Sequence, residues 1–200
     1  INGTNIFMYP ETLDGKYYKN LNGVLNIQIP EIFSKVSTIL KSNLEGMAND
    51  SNFQSFVFSN YDELGDSPIE IGNHEEFTFM AAGIKHRVAM YGPGNYDVEK
   101  LKVDMAKVVE STTNVYGQNP NDEYLFIIHN TKVGSGGLEH MSSTTLNVNR
   151  WTYQGADYLK FLSLVAHEYF HLWHVKRLRP DVLGPFDYDN ENYTDLLWVM

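Results

Sequence analysis

Apolar residues alternate, loosely, with polar ones over Val24–Ile29, and Phe53–Ser59, Phe77–Ala82 and Ile84–Tyr91 are further short runs of strand character. A period of two predicts half-buried strands, and the short run Asn5–Tyr9 is a further candidate. Linkers rich in Asn, Asp, Gly and Ser separate these runs, and Gly83 marks a turn or bulge between the last two. This part of the chain therefore reads as an antiparallel sheet or sandwich. The pattern changes around Gly92-Pro93-Gly94. Val98, Leu101, Met105, Val108 and Val109 recur at helical spacing, with Asp97 and Glu99 near the start, where the helix dipole favours acids. Tyr124–Ile128 reads as a buried strand, Val133–Gly137 as a glycine-rich turn, and Thr144–Val148 as another strand. Ala156–Lys176 carries the strongest helical pattern. Pro180, Gly184 and Pro185 break the loop that follows, and Thr194 is placed to cap one more helix. The predicted fold class is α+β: an antiparallel β domain over residues 1–90, then an α+β domain over residues 91–200.

The chain has 200 residues, 42% of them hydrophobic, enough for one good core or a core with a smaller neighbour. Its formal net charge of -10 argues against non-specific binding to nucleic acid or to anionic membranes. With no cysteine, disulfides, thiolate metal sites and a cysteine nucleophile are all excluded. No apolar run is long enough to span a bilayer. The cytoplasm and the periplasm both remain open as compartments. The apolar run Leu196–Met200 at the end of the sequence, and a start without Met, make the chain read as a piece of a longer one.

Chemistry enters with His167-Glu168-Tyr169-Phe170-His171. On a helix, residues four apart lie about 40° from one another around the axis, so His167 and His171 share a face. Two imidazoles placed in this way can bind one zinc ion, with Glu168 beside it as general base. Zinc polarises a scissile carbonyl and lowers the pKa of a bound water. The bare pattern has two free positions and also arises by chance, and buried helical histidines usually find ordinary hydrogen-bond partners.

The longer run Ala166–Pro180 resembles the signature of the glycyl aminopeptidase family of zinc metallopeptidases. Three further strings fit the same family in the same order: Tyr61–Pro68, Gly136-Gly137-Leu138-Glu139-His140, and Gly184–Tyr188 with Glu191–Thr194. The resemblance covers the chain from about Phe53 to Met200. It implies an N-terminal β domain, a thermolysin-like (gluzincin) catalytic domain and a C-terminal PDZ domain, the last lying outside this sequence. It further implies a peptide substrate with a free N-terminus. Gly136-Gly137-Leu138-Glu139-His140 is similar to the segment of aminopeptidase N-type enzymes whose backbone pairs with the peptide and whose glutamate binds the free α-amine. Carried over, Glu139 anchors the amine by a charge-assisted hydrogen bond, and Gly136 and Gly137 admit the substrate backbone. Spacing alone is equally satisfied by a glycine turn followed by a surface Glu-His pair.

The resemblance also implies a third zinc ligand, a glutamate in the helix that begins Leu197-Trp198-Val199-Met200, immediately after Met200. A chain limited to these residues is expected to hold its one zinc ion weakly and to have low activity. Glu191 and His174 are the substitutes within the sequence; a supporting role suits both better. His74, His86 and His129 read as structural histidines, and Lys176, Arg177 and Arg179 as cations favoured by a helix C-terminus. The functional expectation is a zinc aminopeptidase that releases small N-terminal residues, Gly or Ala. The alternatives are an endopeptidase, or a peptide-binding scaffold with an incomplete zinc site.

Overall fold

The computed structural model describes residues 6–8, 19–44, 52–185 and 187–196. In chain order its elements are β1 (Gly23–Gln28), β2 (Lys35–Ser37), β3 (Lys41–Ser42), β4 (Phe53–Phe58), α1 (Tyr61–Gly65), β5 (Glu70–Gly72), β6 (Glu75–Ala81) and β7 (Ile84–Tyr91). These are followed by α2 (Val98–Tyr116), β8 (Glu123–Thr131), β9 (Ser135–Glu139), β10 (Ser143–Asn149) and α3 (Gly155–Phe170). A single turn of 3-10 helix covers Asp181–Leu183.

The apolar run in β8 is buried on both faces. Tyr124, Phe126 and Ile128 point to one side, and Leu125 and Ile127 to the other. Such a strand belongs at the centre of a sheet covered on both sides. The sheet has the order β6-β7-β8-β10-β9, with β7, β8 and β10 parallel and the two outer pairs antiparallel. Parallel neighbours need a crossover, and α2 supplies it between β7 and β8. Asp97 caps α2, its carboxylate accepting from Lys100 N–H at 3.1 Å; Gly117, at φ 83°, closes the other end with its N–H on the Thr113 carbonyl. Leu101, Met105 and Val109 of α2 and Tyr158, Phe161, Val165 and Tyr169 of α3 cover one face of the sheet. Ala89, Leu125 and Ile127 on the other face meet Ile39 from the N-terminal region. That region holds a β1-β4-β3 sheet, a β2-β5 ribbon and its own small core of Leu40, Phe56 and Leu64.

Three expectations change. The division between residues 90 and 91 falls at the end of β7, inside the five-stranded sheet, because β7 pairs with β8 along its length. The shift in composition at Gly92-Pro93-Gly94 marks a strand-to-helix crossover rather than an edge between cores. Val133–Gly137 is not only a turn: Ser135–Glu139 forms the edge strand β9 on β10. The long helix ends at Phe170, not Lys176. Leu172 and Trp173 are buried as the helical spacing requires, but they lie in tight turns, and Val175 takes φ 104°. A β-branched residue in that region is strained, by about 1–3 kcal/mol, and a regular helix cannot contain it. Asn5–Tyr9, with only residues 6–8 described, and Leu197–Met200 lie wholly or partly outside the described residues. No described helix is long and apolar enough to cross a membrane.

His86 on β7 joins the sheet to α3. The Tyr169 hydroxyl lies 2.9 Å from His86 Nε2 and accepts from the Asn119 amide at 2.5 Å. Burial pulls the His86 pKa down from 6.5 to about 4. Between those values the unfolded chain binds a proton that the folded chain refuses. The stability contributed by neutral His86 is therefore complete above pH 6.5 and is lost as pH falls toward 4. Between pH 7 and pH 4.5 this group alone is expected to cost about 2–3 kcal/mol. Urea unfolding at the two pH values should show His86→Gln losing that much less than the parent. Identical losses would assign the acid sensitivity elsewhere.

Candidate metal centre and peptide cleft

The buried stripe of α3 (Tyr158, Phe161, Val165, Tyr169) fixes the helix on the sheet. The flank beside that stripe carries His167, Glu168 and His171 and faces β9. The His167 and His171 rings stand at 85° with centroids 4.6 Å apart, and their Nε2 atoms lie 3.1 Å from each other. Two nitrogens bound to one tetrahedral zinc ion at ordinary distances are about 3.3 Å apart, so the pair is spaced for a shared ion. His171 Nδ1 lies 3.0 Å from the His174 carbonyl. A carbonyl only accepts, so Nδ1 carries the hydrogen and Nε2 presents its lone pair, the tautomer a metal needs. His174 thus reaches the site through its backbone. His167 is exposed and His171 half-buried, so the pair opens to solvent rather than into the core.

Glu168, one residue along, is only 4% exposed. Its Oε2 has no hydrogen-bond partner among the described residues. Burial raises its pKa, the charge of Glu139 raises it further, and His171 acts in the opposite direction. A buried carboxylate with a free oxygen and a strengthened hold on a proton is suited to general-base work. Carboxylate oxygens of Glu139 and Glu168 and a ring nitrogen of His171 lie within 4.8 Å of one another. The sheet makes this possible. Glu139 is the last residue of β9 and pairs with Thr144, and Gly137 pairs with Leu146, which faces α3. A Cβ on Gly137 would stand 2.5 Å from Glu168 Cδ and 2.6 Å from its Oε1. The glycine is therefore a notch that admits the carboxylate. Gly136, at φ 146°, has a conformation that side chains rarely tolerate. The donor set, its tautomer and the unpartnered carboxylate oxygen fit a divalent cation held by His167 and His171.

Glu191 lies outside this group: it is exposed and accepts from the Tyr193 hydroxyl. Lys176 and Arg177 do not decorate a helix end. Lys176 pairs with Asp66 at 2.7 Å, and Asp66 also accepts from Met141 N–H at 2.6 Å. Arg177 donates to Asn121 at 2.7 Å and to the carbonyls of Leu172 and Met141 at 2.6 and 3.3 Å. These bonds tie the end of α1 with the residues just after it, the end of β9 and the segment after α3 around Glu139. Asp66 lies in a string matched by sequence, but its partner is 110 residues away, and no local pattern signals such a pair. A cleft of about 860 Å³ opens between these segments, with Asp62, Asp66, Leu138, Glu139, Lys176 and Arg179 in its walls. A second cleft of about 320 Å³ lies beside β9 and shares Leu138 and His140 with the first. Among the described residues, no strand pairs with the outer side of β9.

Two family models match the sequence: the M61 glycyl aminopeptidase over residues 160–200 and the peptidase M61 N-terminal domain over residues 1–73. Among solved structures, the chain is similar to the crystal structure of an aminopeptidase N family protein from Idiomarina loihiensis. The TM-score is 0.81 and the identity 32%, over 90% of this chain and 32% of that one. The chain thus spans about a third of that neighbour's length. Comparison with curated proteins gave no match.

Proposed function

Because this chain belongs to the M61 glycyl aminopeptidase family, we propose that it carries a zinc aminopeptidase site, with His167 and His171 as metal ligands, Glu168 as general base and Glu139 as the amine anchor. The observation that carries the reading is the convergence of Glu139, Glu168 and His171 from a strand end and a helix flank onto one point. A zinc ion held by the two imidazoles would supply Lewis-acid polarisation of the scissile carbonyl and an acidified water. Glu168 takes the proton of the attacking water on its free oxygen and hands it to the departing amine. Its seat against Gly137 keeps it from swinging away. Glu139 holds the substrate ammonium by a charge-assisted hydrogen bond, which also relieves the repulsion between the two carboxylates. The outer edge of β9 offers backbone groups to the peptide that follows the amine. Small first residues, Gly or Ala, are the proposed preference; the family description names glycyl substrates alone. We place the end of the N-terminal region near residue 73, where its family model ends and just before β6 begins.

The test compares alanyl peptides with free and acetylated N-termini, with zinc present, in the full-length protein. Losing a buried ammonium–carboxylate pair costs about 2–5 kcal/mol. Acetylation should therefore lower kcat/KM by about 30-fold or more, and Glu139→Gln should remove most of the difference. Equal rates on free and blocked peptides would instead mark an endopeptidase and end the role given to Glu139.

A further inference from the structure

The smaller cleft lies on the sheet face turned away from α3, under the free edge of β9. Its polar floor is Glu70, 8% exposed, whose carboxylate meets His129 Nε2 at 2.8 Å. Thr145 and Asn147 of β10 form one wall. Among the described residues, the ion-pair partner of Glu70 is a histidine, not a lysine or arginine. Glu70 is the one carboxylate among the described residues that line the cleft. Gly136 lies at its rim, and a Cβ there would meet nothing within 4 Å, so the way in from the edge is open.

Strand alternation decides which side chains can enter. Gly137 and Glu139 face α3, whereas Gly136 and Leu138 face this cleft. A peptide paired with β9 alternates in the same way. Because Glu139 is the last residue of β9, a peptide whose amine is held there and which follows the strand must run antiparallel to it. Its first residue then lies opposite Glu139, its third opposite Gly137 and its fourth opposite Gly136. We propose that this cleft is a side-chain subsite for the fourth residue of the substrate and that Glu70 makes it prefer lysine or arginine there. The inference rests on the reading of β9 as the substrate edge, with Glu139 at its amine end.

The experiment uses the tetrapeptide amides Ala-Ala-Ala-Lys, Ala-Ala-Ala-Glu, Ala-Ala-Lys-Ala and Ala-Ala-Glu-Ala at pH 8, on the full-length protein with zinc. The net charge of -10 attracts any cationic peptide, so the third position is the control. At the fourth position, kcat/KM should favour Lys over Glu by about tenfold, against about twofold or less at the third. Glu70→Gln, which keeps a hydrogen-bonding side chain toward His129, should reduce the fourth-position ratio to that of the third. Equal Lys/Glu ratios at the two positions in the parent protein would overturn the subsite, and that comparison needs no variant to fold. A fourth-position ratio unchanged by Glu70→Gln would also overturn it. If no peptide is cleaved, the peptidase reading fails separately. The same panel, carrying a fluorophore at its C-terminus, is then read by anisotropy, and equal affinity for Lys and Glu at the fourth position rejects the subsite.

Discussion

Glu168→Gln is expected to lower kcat/KM on alanyl nitroanilide by about 10³–10⁴-fold, at the upper end of what a positioned general base contributes, while zinc content stays at the parent level. The amide matches the carboxylate in size, so it enters the Gly137 notch without the clash that a bulkier residue would create. What it lacks is the ability to take a proton. The parent carboxylate is buried beside Glu139 with one oxygen unpartnered among the described residues. A neutral amide relieves the desolvation and the repulsion, so the thermal midpoint should stay level or rise. Lost turnover with metal and stability retained separates a chemical role from a structural one. More than a tenth of parental activity in the variant would remove Glu168 from the mechanism.

Removing one imidazole should have the second large effect. In the parent protein, zinc at about 100 times its dissociation constant stabilises the fold by about 2.7 kcal/mol. For a domain of this size that is a rise in midpoint of roughly 5–10 °C. His171→Ala should abolish the rise and the turnover together, and a chelator should do the same to the parent. The variant also frees the His174 carbonyl that orients the ring, so His167→Ala is the cleaner partner experiment; that ring is exposed. If either variant kept the full zinc-induced shift, the two nitrogens 3.1 Å apart would be a hydrogen-bonded pair and nothing more.

What the sequence made legible was whatever lies within one element. The helical repeat of Leu101, Met105 and Val109 announced α2, and the unbroken apolar run of β8 announced a buried strand. The imidazole pair was readable for the same reason, since four residues on a helix return to the same side. Features that depend on neighbours were not readable. Gly136 and Gly137 carry the ordinary signal of a turn, because glycine weakens strands. Here β9 keeps them so that a helix side chain can come close. Leu172 and Trp173 extend the apolar spacing of α3 past its real end, because buried turns need apolar residues as much as helices do. Strands of two or three residues, β2, β3 and β5, are too short to show a period. The meeting of Glu139 with Glu168 depends on the β9–β10 register, which no string of residues reports.

The bare main chain at Gly137 has a use beyond this protein. The distance from sheet to helix at that point is set by a carbon atom that is not there. A distant homologue that keeps both imidazoles and the acid, yet carries a side chain at the matching position, must have pushed the two layers apart or turned the acid aside. Inspecting that one residue would therefore sort sequences that can keep the acid in place from those that cannot, even where the His167–His171 pentapeptide is intact in both.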